Sequence, residues 1–389
     1  MTDKTDVTAL ILERFAARSP LTVMAQQTLQ HVFAVPVLDA LFEENAESQY
    51  TRSLAFSAVV TLMSEVVLKV RPSVRQAYLG RREALGVTLQ AVYDKLARTD
   101  PSVCSALVSA LAARAGGVLA ALPDAAPPAW KGYRVRILDG NHQAATQRRI
   151  KKLRGVAAGP RPSFGIVVYD PRHDLPVALV PCEDAYVQER ALAAQFLPFA
   201  AAGDLWIGDR NFCTTTILFG WDARGAAFLV REHANAPVRA CGPLHRVGTI
   251  DGGTVYEQDA ELLPQDPDLE ALIVRRIVVR LTTPTRDGAT ELVLLTTVPT
   301  EVAGAVELAD AYRTRWTIET AFLRLATLMQ TEIAPLGYPR AALLGFAVGL
   351  VAYMVVSVLR GALRRRTGAA TWARHGLAGD ASYPHHDHD

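Results

Sequence analysis

The chain divides into stretches that differ in the spacing of their hydrophobic positions. Up to about Pro128, apolar residues recur at helical spacing with almost no alternating run, and residues 51–70 carry a long apolar stripe. From Tyr133 the period changes to the alternation of strands, and short apolar runs are separated by turn residues. The pattern therefore predicts a helical N-terminal domain over residues 1–128, followed by an α/β domain.

The α/β part has a definite order of elements. The predicted elements are strands at 133–138, 163–169 and 175–182, a helix at 184–200, a strand LWIG, a helix at 216–223 and a strand AAFLVRE. Asp139 follows the first of these strands and Asp209 follows the fourth. Side chains at strand ends reach the edge of a sheet, where ligands of α/β folds bind. A ligand site is therefore predicted at this edge.

Residues 234–299 contain β-branched runs separated by the turns DGG, PQDPD and TRDG, and they predict a β-rich insertion. We expect the insertion to lie outside the central sheet and to return the chain to the core at a helix that starts near Thr300. The core then resumes over residues 300–366. Residues 367–389 are expected to be a disordered tail.

A helix is predicted over residues 309–330, and its polar residues share one face at about 100° per residue. The residues of this face are Tyr312, Arg315, Glu319 and Ala326. The face presents a carboxylate one turn from an arginine, which suits a site that holds a metal and a phosphate. An amphipathic helix with an ordinary surface ion pair is the alternative for this stretch taken alone.

A family resemblance rests on six residues of this helix: Tyr312, Arg313, Arg315, Trp316, Ile318 and Glu319. Their spacing resembles the signature of DDE transposases of insertion-sequence family four. That family has a lysine, which contacts DNA phosphate, seven residues after the glutamate, where this chain has Ala326. The loss of one such contact is expected to weaken binding to element ends by about one to two decades.

The resemblance covers about residues 133–324 and implies the fold. It implies an α/β protein with an RNase H-like catalytic core, whose first part is residues 129–233 and whose last part is residues 300–366. The β-rich insertion interrupts this core, and an all-α N-terminal domain that recognises the ends of the element precedes it.

The resemblance also implies the chemistry. Asp139, Asp209 and Glu319 would be the catalytic carboxylates, and they supply the hard oxygen donors that two Mg²⁺ or Mn²⁺ ions prefer. Three carboxylates that converge without a cation would raise one another's pKa. Tyr312 and Arg315 would hold DNA phosphate near the cleaved end. The implied function is a DNA transposase that cuts element ends and joins the freed 3′-hydroxyl to target DNA by two-metal phosphoryl transfer.

The net charge is only +2, so binding to DNA must come from local basic clusters. Such a cluster follows the first aspartate in the segment QRRIKKLRG, and its predicted DNA-binding residues are Arg148, Arg149, Lys151 and Lys152. We expect it to follow phosphates without reading sequence, and a plain solvated loop is the alternative. The expected partners are element-end and target DNA and a second copy of the chain, as a homodimer in the synaptic complex.

Three other functions stay open at this point. Ala326 allows a catalytically impaired DNA-binding protein derived from a transposase, and the carboxylates allow a metal-dependent RNase H-like nuclease that does not join strands. A single-span membrane protein is the third, because residues 341–359 are uncharged and long enough to cross a bilayer. We expect a buried core helix there and no membrane partner, since Gly345 and Gly349 suit close helix packing.

The four cysteines are scattered and form no CxxC pair, which argues against a zinc site or a disulfide scaffold. The N-terminus lacks the basic start and apolar core of a signal peptide. The expected location is therefore the cytoplasm, in association with the nucleoid.

Overall fold

The computed structural model describes residues 20–47, 53–122, 130–142, 163–184, 187–284, 288–329, 331 and 338–367. Before the first strand, the described residues form the helices α1 Pro20–Val32, α2 Val35–Asn45, α3 Phe56–Val67, α4 Val74–Leu85, α5 Leu89–Arg98 and α6 Pro101–Ala120. These helices share one hydrophobic core with a face of the sheet and with the C-terminal helices. The division of the chain into domains stays a prediction.

Local residues explain where α4 begins and ends and where α5 begins. The Ser73 hydroxyl accepts a hydrogen bond from the Gln76 N–H at the start of α4, and the Thr88 hydroxyl accepts one from the Ala91 N–H at the start of α5. Gly86 ends α4 in the left-handed region, at φ 61°.

Ten strands in the described part of the chain form one mixed, mostly antiparallel sheet. The strands are β1 Arg134–His142, β2 Phe164–Asp170, β3 Leu175–Cys182, β4 Asp204–Gly208, β5 Ala227–Arg231, β6 Val238–Ala240, β7 His245–Ile250, β8 Gly253–Leu262, β9 Leu272–Leu281 and β10 Glu291–Thr296. Their order is β3-β2-β1-β4-β5-β10-β9-β8-β6, with β7 paired to β8. Only the pairs β1 with β4 and β4 with β5 are parallel.

The sheet is the middle of three layers. The helices that follow or interrupt it are α7 Ala193–Phe196, α8 Thr215–Asp222, α9 Ala305–Tyr312, α10 Trp316–Leu328 and α11 Pro339–Thr367. Ile137 and Ile207 face a core shared with α9, α10, α11 and the N-terminal helices. Leu138 and Trp206 face the opposite core, where Trp206 stacks on Trp221 of α8 at 5.4 Å between ring centroids. Odd-numbered side chains of β1 therefore point toward α9 and α10.

Helix α11 is a core helix, as predicted. Both α11 and α6 are long and apolar enough to cross a membrane, but 89% of the apolar window of α11 is buried inside the protein, against 44% for α6. At Gly349 a Cβ atom would lie 2.4 Å from Thr331 Cγ2, so the glycine permits close packing there.

Residues 234–299 are rich in strands, as predicted, but the expectation that they lie outside the central sheet is wrong. Strand β10 pairs with β5, with Leu295 opposite Val230, so the insertion continues the sheet. An unpaired β5 would leave a row of backbone N–H and C=O groups without partners, and β10 satisfies them. The chain then returns to the core at α9, which begins at Ala305 rather than near Thr300.

Two predicted helices are interrupted. The segment 184–200 contains the 3₁₀ turns Glu189–Leu192 and Leu197–Phe199 on either side of α7, and Pro198 removes a backbone donor there. The segment 309–330 consists of the end of α9, a 3₁₀ turn Arg313–Arg315, and α10. In the second case threonine hydroxyls donate to preceding carbonyl groups, such as Thr314 to Ala311 at 2.7 Å, and such bonds bend helices.

Candidate active site

The two aspartates lie at matching positions of neighbouring parallel strands. Ile137 of β1 pairs with Ile207 of β4, and Asp139 and Asp209 each follow two residues later. Strand β1 continues to His142, so Asp139 lies within it and not after its end as predicted, but beyond the part that pairs with β4. Asp209 caps the 3₁₀ turn Arg210–Phe212, and its Oδ1 atom accepts from the Asn211 N–H at 2.8 Å. The predicted meeting of both aspartates at one sheet edge thus follows from this register.

Arg315 connects the helical side of the site to the sheet. Its Nη2 atom lies 2.7 Å from Glu319 Oε1, and its Nη1 atom lies 3.9 Å from Asp139 Oδ2. The side chains of Arg315 and Asp139 are only 16% and 19% exposed, whereas Glu319 is 50% exposed. One guanidinium group therefore supplies positive charge between two of the predicted catalytic carboxylates.

Tyr312 ends α9 and is buried, and its hydroxyl donates to the Gly208 carbonyl at 3.3 Å. This bond joins α9 to the end of β4, one residue before Asp209. Burial raises the pKa of Tyr312, Arg315 opposes the shift, and Asp209 adds to it. The phenol therefore stays protonated at neutral pH.

Burial and the neighbouring carboxylates both raise the pKa of Asp139. Burial is the largest cause, Arg315 opposes the shift, the negative charges of Asp209, Glu189 and Glu319 add to it, and together they raise this pKa to about 7. Four acidic side chains are thus close enough for Asp139 to sense the other three. Such an arrangement favours the binding of a proton or of a cation.

Glu189 is the acidic residue that sequence reasoning missed. It begins the 3₁₀ turn Glu189–Leu192, and its Oε2 atom accepts a hydrogen bond from Asn211 Nδ2 at 3.3 Å. Burial raises the pKa of Glu189 and Asp209 adds to the shift, while the bond from Asn211 opposes it. The one local signal is the glycine directly after Asp139, but the order of the chain does not indicate which side chain fills the space above Gly140.

The donor set fits hard divalent cations, because carboxylate oxygens are the ligands that Mg²⁺ and Mn²⁺ prefer. The matching register of Asp139 and Asp209, with Glu319 connected to Asp139 through Arg315, places these oxygen donors on one side of the molecule. In the described ranges, no three His, Cys, Asp or Glu side chains are already gathered closely enough to hold an ion. Arg315 lies between Asp139 and Glu319 instead, and the single metal site expected of Asp139, Asp209 and Glu319 stays a prediction.

Ala326 is exposed on α10, as expected for a position that faces a ligand. Arg324 does not serve this face, because its guanidinium lies 3.6 Å from the buried Asp174 carboxylate. Another cation lies beside the position: the Lys69 ammonium group donates to the carbonyl of Thr327 at 2.9 Å. The backbone of Lys69 is in the left-handed region, at φ 59°.

The predicted DNA-binding cluster of Arg148, Arg149, Lys151 and Lys152 lies outside the described residues, and so does the tail from residue 368 onward. The predictions made for both stay predictions.

A family model described as "Transposase DDE domain" matches residues 130–341, which is more than half of the chain. The chain belongs to this family of DDE-domain transposases. No curated protein matches the transposase. Among solved structures, the cryo-electron-microscopy structure of the piggyBac transposase synaptic complex with hairpin DNA is similar to it at 10% sequence identity. The match covers 93% of this transposase and 87% of that chain, with a TM-score of 0.35.

The matched range contains Asp139, Asp209 and Glu319, together with Arg315 and Tyr312. The transposase therefore carries its candidate site inside the segment that defines its family.

Proposed function

We propose that this transposase, of the insertion-sequence family four type, cuts DNA at the ends of its element and joins the freed 3′-hydroxyl to target DNA. The observation that carries the proposal is the matching register of Asp139 and Asp209 on parallel strands, with Glu319 joined to the same edge through Arg315. An RNase H-like core that encloses this edge belongs to the same proposal.

Asp139, Asp209 and Glu319 would hold Mg²⁺ or Mn²⁺. When bound, two such ions activate a water or a 3′-hydroxyl and stabilise the leaving oxygen of an in-line displacement at phosphorus. The protein then needs no covalent nucleophile of its own, and the buried, protonated Tyr312 is not asked to supply one.

Arg315 is the residue that would position the scissile phosphate. A guanidinium group has five N–H donors, more than its contacts with Asp139 and Glu319 use. The remaining donors can bind a phosphate oxygen in the forked geometry that arginine favours. Tyr312 supports this role by fixing the start of the Arg313–Arg315 turn to the end of β4.

The partners are element-end DNA, target DNA and a second copy of the chain in a synaptic homodimer. The cluster Arg148, Arg149, Lys151 and Lys152 would bind the DNA backbone, and the cytoplasm near the nucleoid is where such substrates lie.

The test is a cleavage and strand-transfer assay with the full chain, Mg²⁺ and duplexes that carry the DNA flanking its gene. Cuts at the repeat ends, followed by joining of the 3′ ends to a target plasmid, are expected. Asp139→Asn, Asp209→Asn and Glu319→Gln should abolish both reactions while DNA binding remains. Cleavage without joining would instead show a nuclease, and binding without cleavage would show a catalytically silent DNA-binding protein, the function that Ala326 allows.

A further inference from the structure

We propose that Arg231 is a positioning residue of the catalytic edge and binds a backbone phosphate of the DNA, next to the phosphate that Arg315 positions. The inference rests on the proposed DNA-cleaving function and adds to it a residue that the candidate site does not include. Two features of Arg231 support this role: its place in the sheet, and the lack of an acidic partner for its guanidinium group within the described residues.

Arg231 lies at the same edge of the sheet as the two aspartates. Strand β5 runs parallel to β4 with Val230 opposite Gly208, so Arg231 and Asp209 are the next residues along the two strands. Leu229 of β5 faces the core that the sheet shares with α9 and α10. The half-buried Arg231 follows two residues later, so its side chain points to the same side of the sheet. Arg231 therefore extends the candidate site by one strand beyond Asp209.

The buried phenol of Tyr312 is close to both arginines. Burial raises its pKa, and the positive charges of Arg315 and Arg231 both oppose that rise. Arg315 also contacts Asp139 of β1, whereas Arg231 leaves β5, on the other side of β4. Neighbouring strands are about 4.8 Å apart, so the backbones of β1 and β5 are separated by roughly 10 Å. This spacing suits two separate phosphate groups better than one.

Other arginines in this part of the sheet are paired with glutamates of adjacent strands. Arg276 Nε lies 2.6 Å from Glu232 Oε2, and Arg280 Nε lies 3.0 Å from Glu291 Oε1. No such ion pair is formed by Arg231 with any acidic residue that the structure describes. A purely structural arginine of this sheet would be expected to have one.

The two neighbours of Arg231 in the sheet explain why it is unpaired. Leu294, its partner on β10, is apolar. Asp209 is acidic, but its Oδ1 atom accepts the Asn211 N–H at 2.8 Å and caps the turn after β4. A half-buried charge without a counter-charge is unfavourable, and an anion would compensate it. The proposed function brings a DNA phosphate to this edge, and the paired N–H donors of a guanidinium group suit its oxygens.

The first experiment measures binding of the full chain to a duplex of the DNA flanking its gene, in EDTA to prevent cleavage and at several salt concentrations. Arg231→Gln should weaken binding by about 10- to 100-fold and lower the salt slope by about one counterion, because one charged phosphate contact is lost. Arg231→Lys should restore the salt slope but only part of the affinity, since lysine keeps the charge without the forked donors.

Arg224→Gln is the matched control. Arg224 is exposed and precedes β5, at the end of that strand away from Asp209, so its replacement should leave the affinity and the salt slope unchanged. The melting temperature of Arg231→Gln should equal that of the wild type or exceed it, because the variant removes a half-buried charge that has no acidic partner in the described ranges.

The second experiment locates the phosphate. Phosphates around the cleaved bond are replaced one at a time by neutral methylphosphonates, and each duplex is titrated with the wild type, Arg231→Gln and Arg315→Gln. At one position the losses from the methylphosphonate and from Arg231→Gln should not add, because both changes remove the same contact. Arg315→Gln should show this behaviour at a neighbouring position. Losses that add at every position, or one shared position for both variants, would overturn the assignment.

The outcomes separate this inference from the proposed function. If the wild type binds and cleaves the flanking duplex, and Arg231→Gln binds it with the same affinity and salt slope, the inference fails alone. If the wild type neither binds nor cleaves this duplex, the proposed function fails as well. A lower melting temperature of Arg231→Gln, with the salt slope of the wild type, would assign Arg231 a structural role and overturn the inference.

Discussion

Asp139 and Asp174 each lie close to an arginine of the segment 313–328, Asp139 near Arg315 and Asp174 near Arg324. The surroundings of the two carboxylates are otherwise opposite. Asp174, in the turn between β2 and β3, is 8% exposed and accepts hydrogen bonds from the hydroxyl groups of Tyr169 and Tyr353. Its carboxylate also lies beside the guanidinium groups of Arg324 and Arg360. Both oxygen atoms of this carboxylate are thus contacted by hydrogen-bond donors or by cations.

Asp139 has the opposite surroundings. Its one cationic neighbour in the described ranges is Arg315 at 3.9 Å, and its other charged neighbours are three carboxylates. The donors and cations around Asp174 are supplied by the fold itself. Asp174 therefore connects the β2–β3 turn to α10 and α11. Among the described residues, Asp139 receives only the Gly140 N–H, at 3.1 Å from its Oδ1 atom, and the Arg315 guanidinium at 3.9 Å, so fewer of its hydrogen-bonding positions are occupied by the fold than those of Asp174.

The largest effect is expected for Asp139→Asn in the cleavage assay. The amide keeps the size of the side chain but cannot replace a charged metal ligand, so cleavage should fall by roughly 10³-fold or more. The fold should survive, because a repelling charge is removed. Cleavage rates and circular dichroism of the variant and of the exposed control Asp268→Asn check this, and normal cleavage by Asp139→Asn would contradict the assignment.

The second prediction concerns pH and follows from the raised pKa of Asp139, about 7 against an ordinary value of 3.8. Between about pH 4 and pH 7 the folded, metal-free protein binds more protons at Asp139 than the unfolded chain, so stability is lost as the pH rises. The full shift corresponds to at most about 4 kcal/mol.

Urea unfolding in EDTA at pH 4 and pH 7.5 measures this contribution as the difference between wild type and Asp139→Asn. The two proteins should be equally stable at pH 4, and the variant should be the more stable at pH 7.5. Equal stability at both pH values would show that Asp139 is not held among repelling charges.

The third prediction concerns Asp174, whose carboxylate is surrounded by hydrogen-bond donors and cations. Asp174→Asn removes the charge that balances Arg324 and Arg360, and we expect the free energy of unfolding to fall by about 2 to 3 kcal/mol, since both arginines are partly exposed. Urea unfolding at pH 7 measures this, with the exposed Asp222→Asn as the control. A loss below about 0.5 kcal/mol, or one smaller than that of Asp139→Asn, would reverse the comparison.

The smallest effect is expected at Ala326. Ala326→Lys should tighten binding to element ends by about tenfold and steepen the salt dependence by about one counterion, while the metal requirement stays the same. We expect the low end of the range for a new charged contact because Lys69 already lies at the Thr327 carbonyl.

Binding isotherms at several salt concentrations test this, and Lys69→Ala should change affinity in the opposite direction. Ala202→Lys is the matched control, because Ala202 is exposed and lies before β4, at the end of that strand away from Asp209. If Ala326→Lys and Ala202→Lys change the affinity and the salt slope equally, α10 does not meet DNA at this face.

Local sequence patterns determined much of this protein. The alternation of apolar and polar residues predicted the positions of β2, β3 and β8 to β10 within a few residues. The apolar run at 341–359 predicted the buried helix α11. The spacing of Tyr312, Arg315 and Glu319 indicated the family, which the match to the transposase DDE domain supports at the level of a transposase. These features are readable because periodicity and helical spacing depend only on residues close together in the chain.

The tertiary structure alone decided the rest. The pairing of β10 with β5, the matching register of Asp139 and Asp209, and the approach of Glu189 to Gly140 all join residues far apart in sequence. A strand pattern shows which face is buried but not which neighbour completes the hydrogen bonds of an edge. The long-range packing that places Glu189 above a glycine has no local signal, since it depends on the whole sheet closing around that edge.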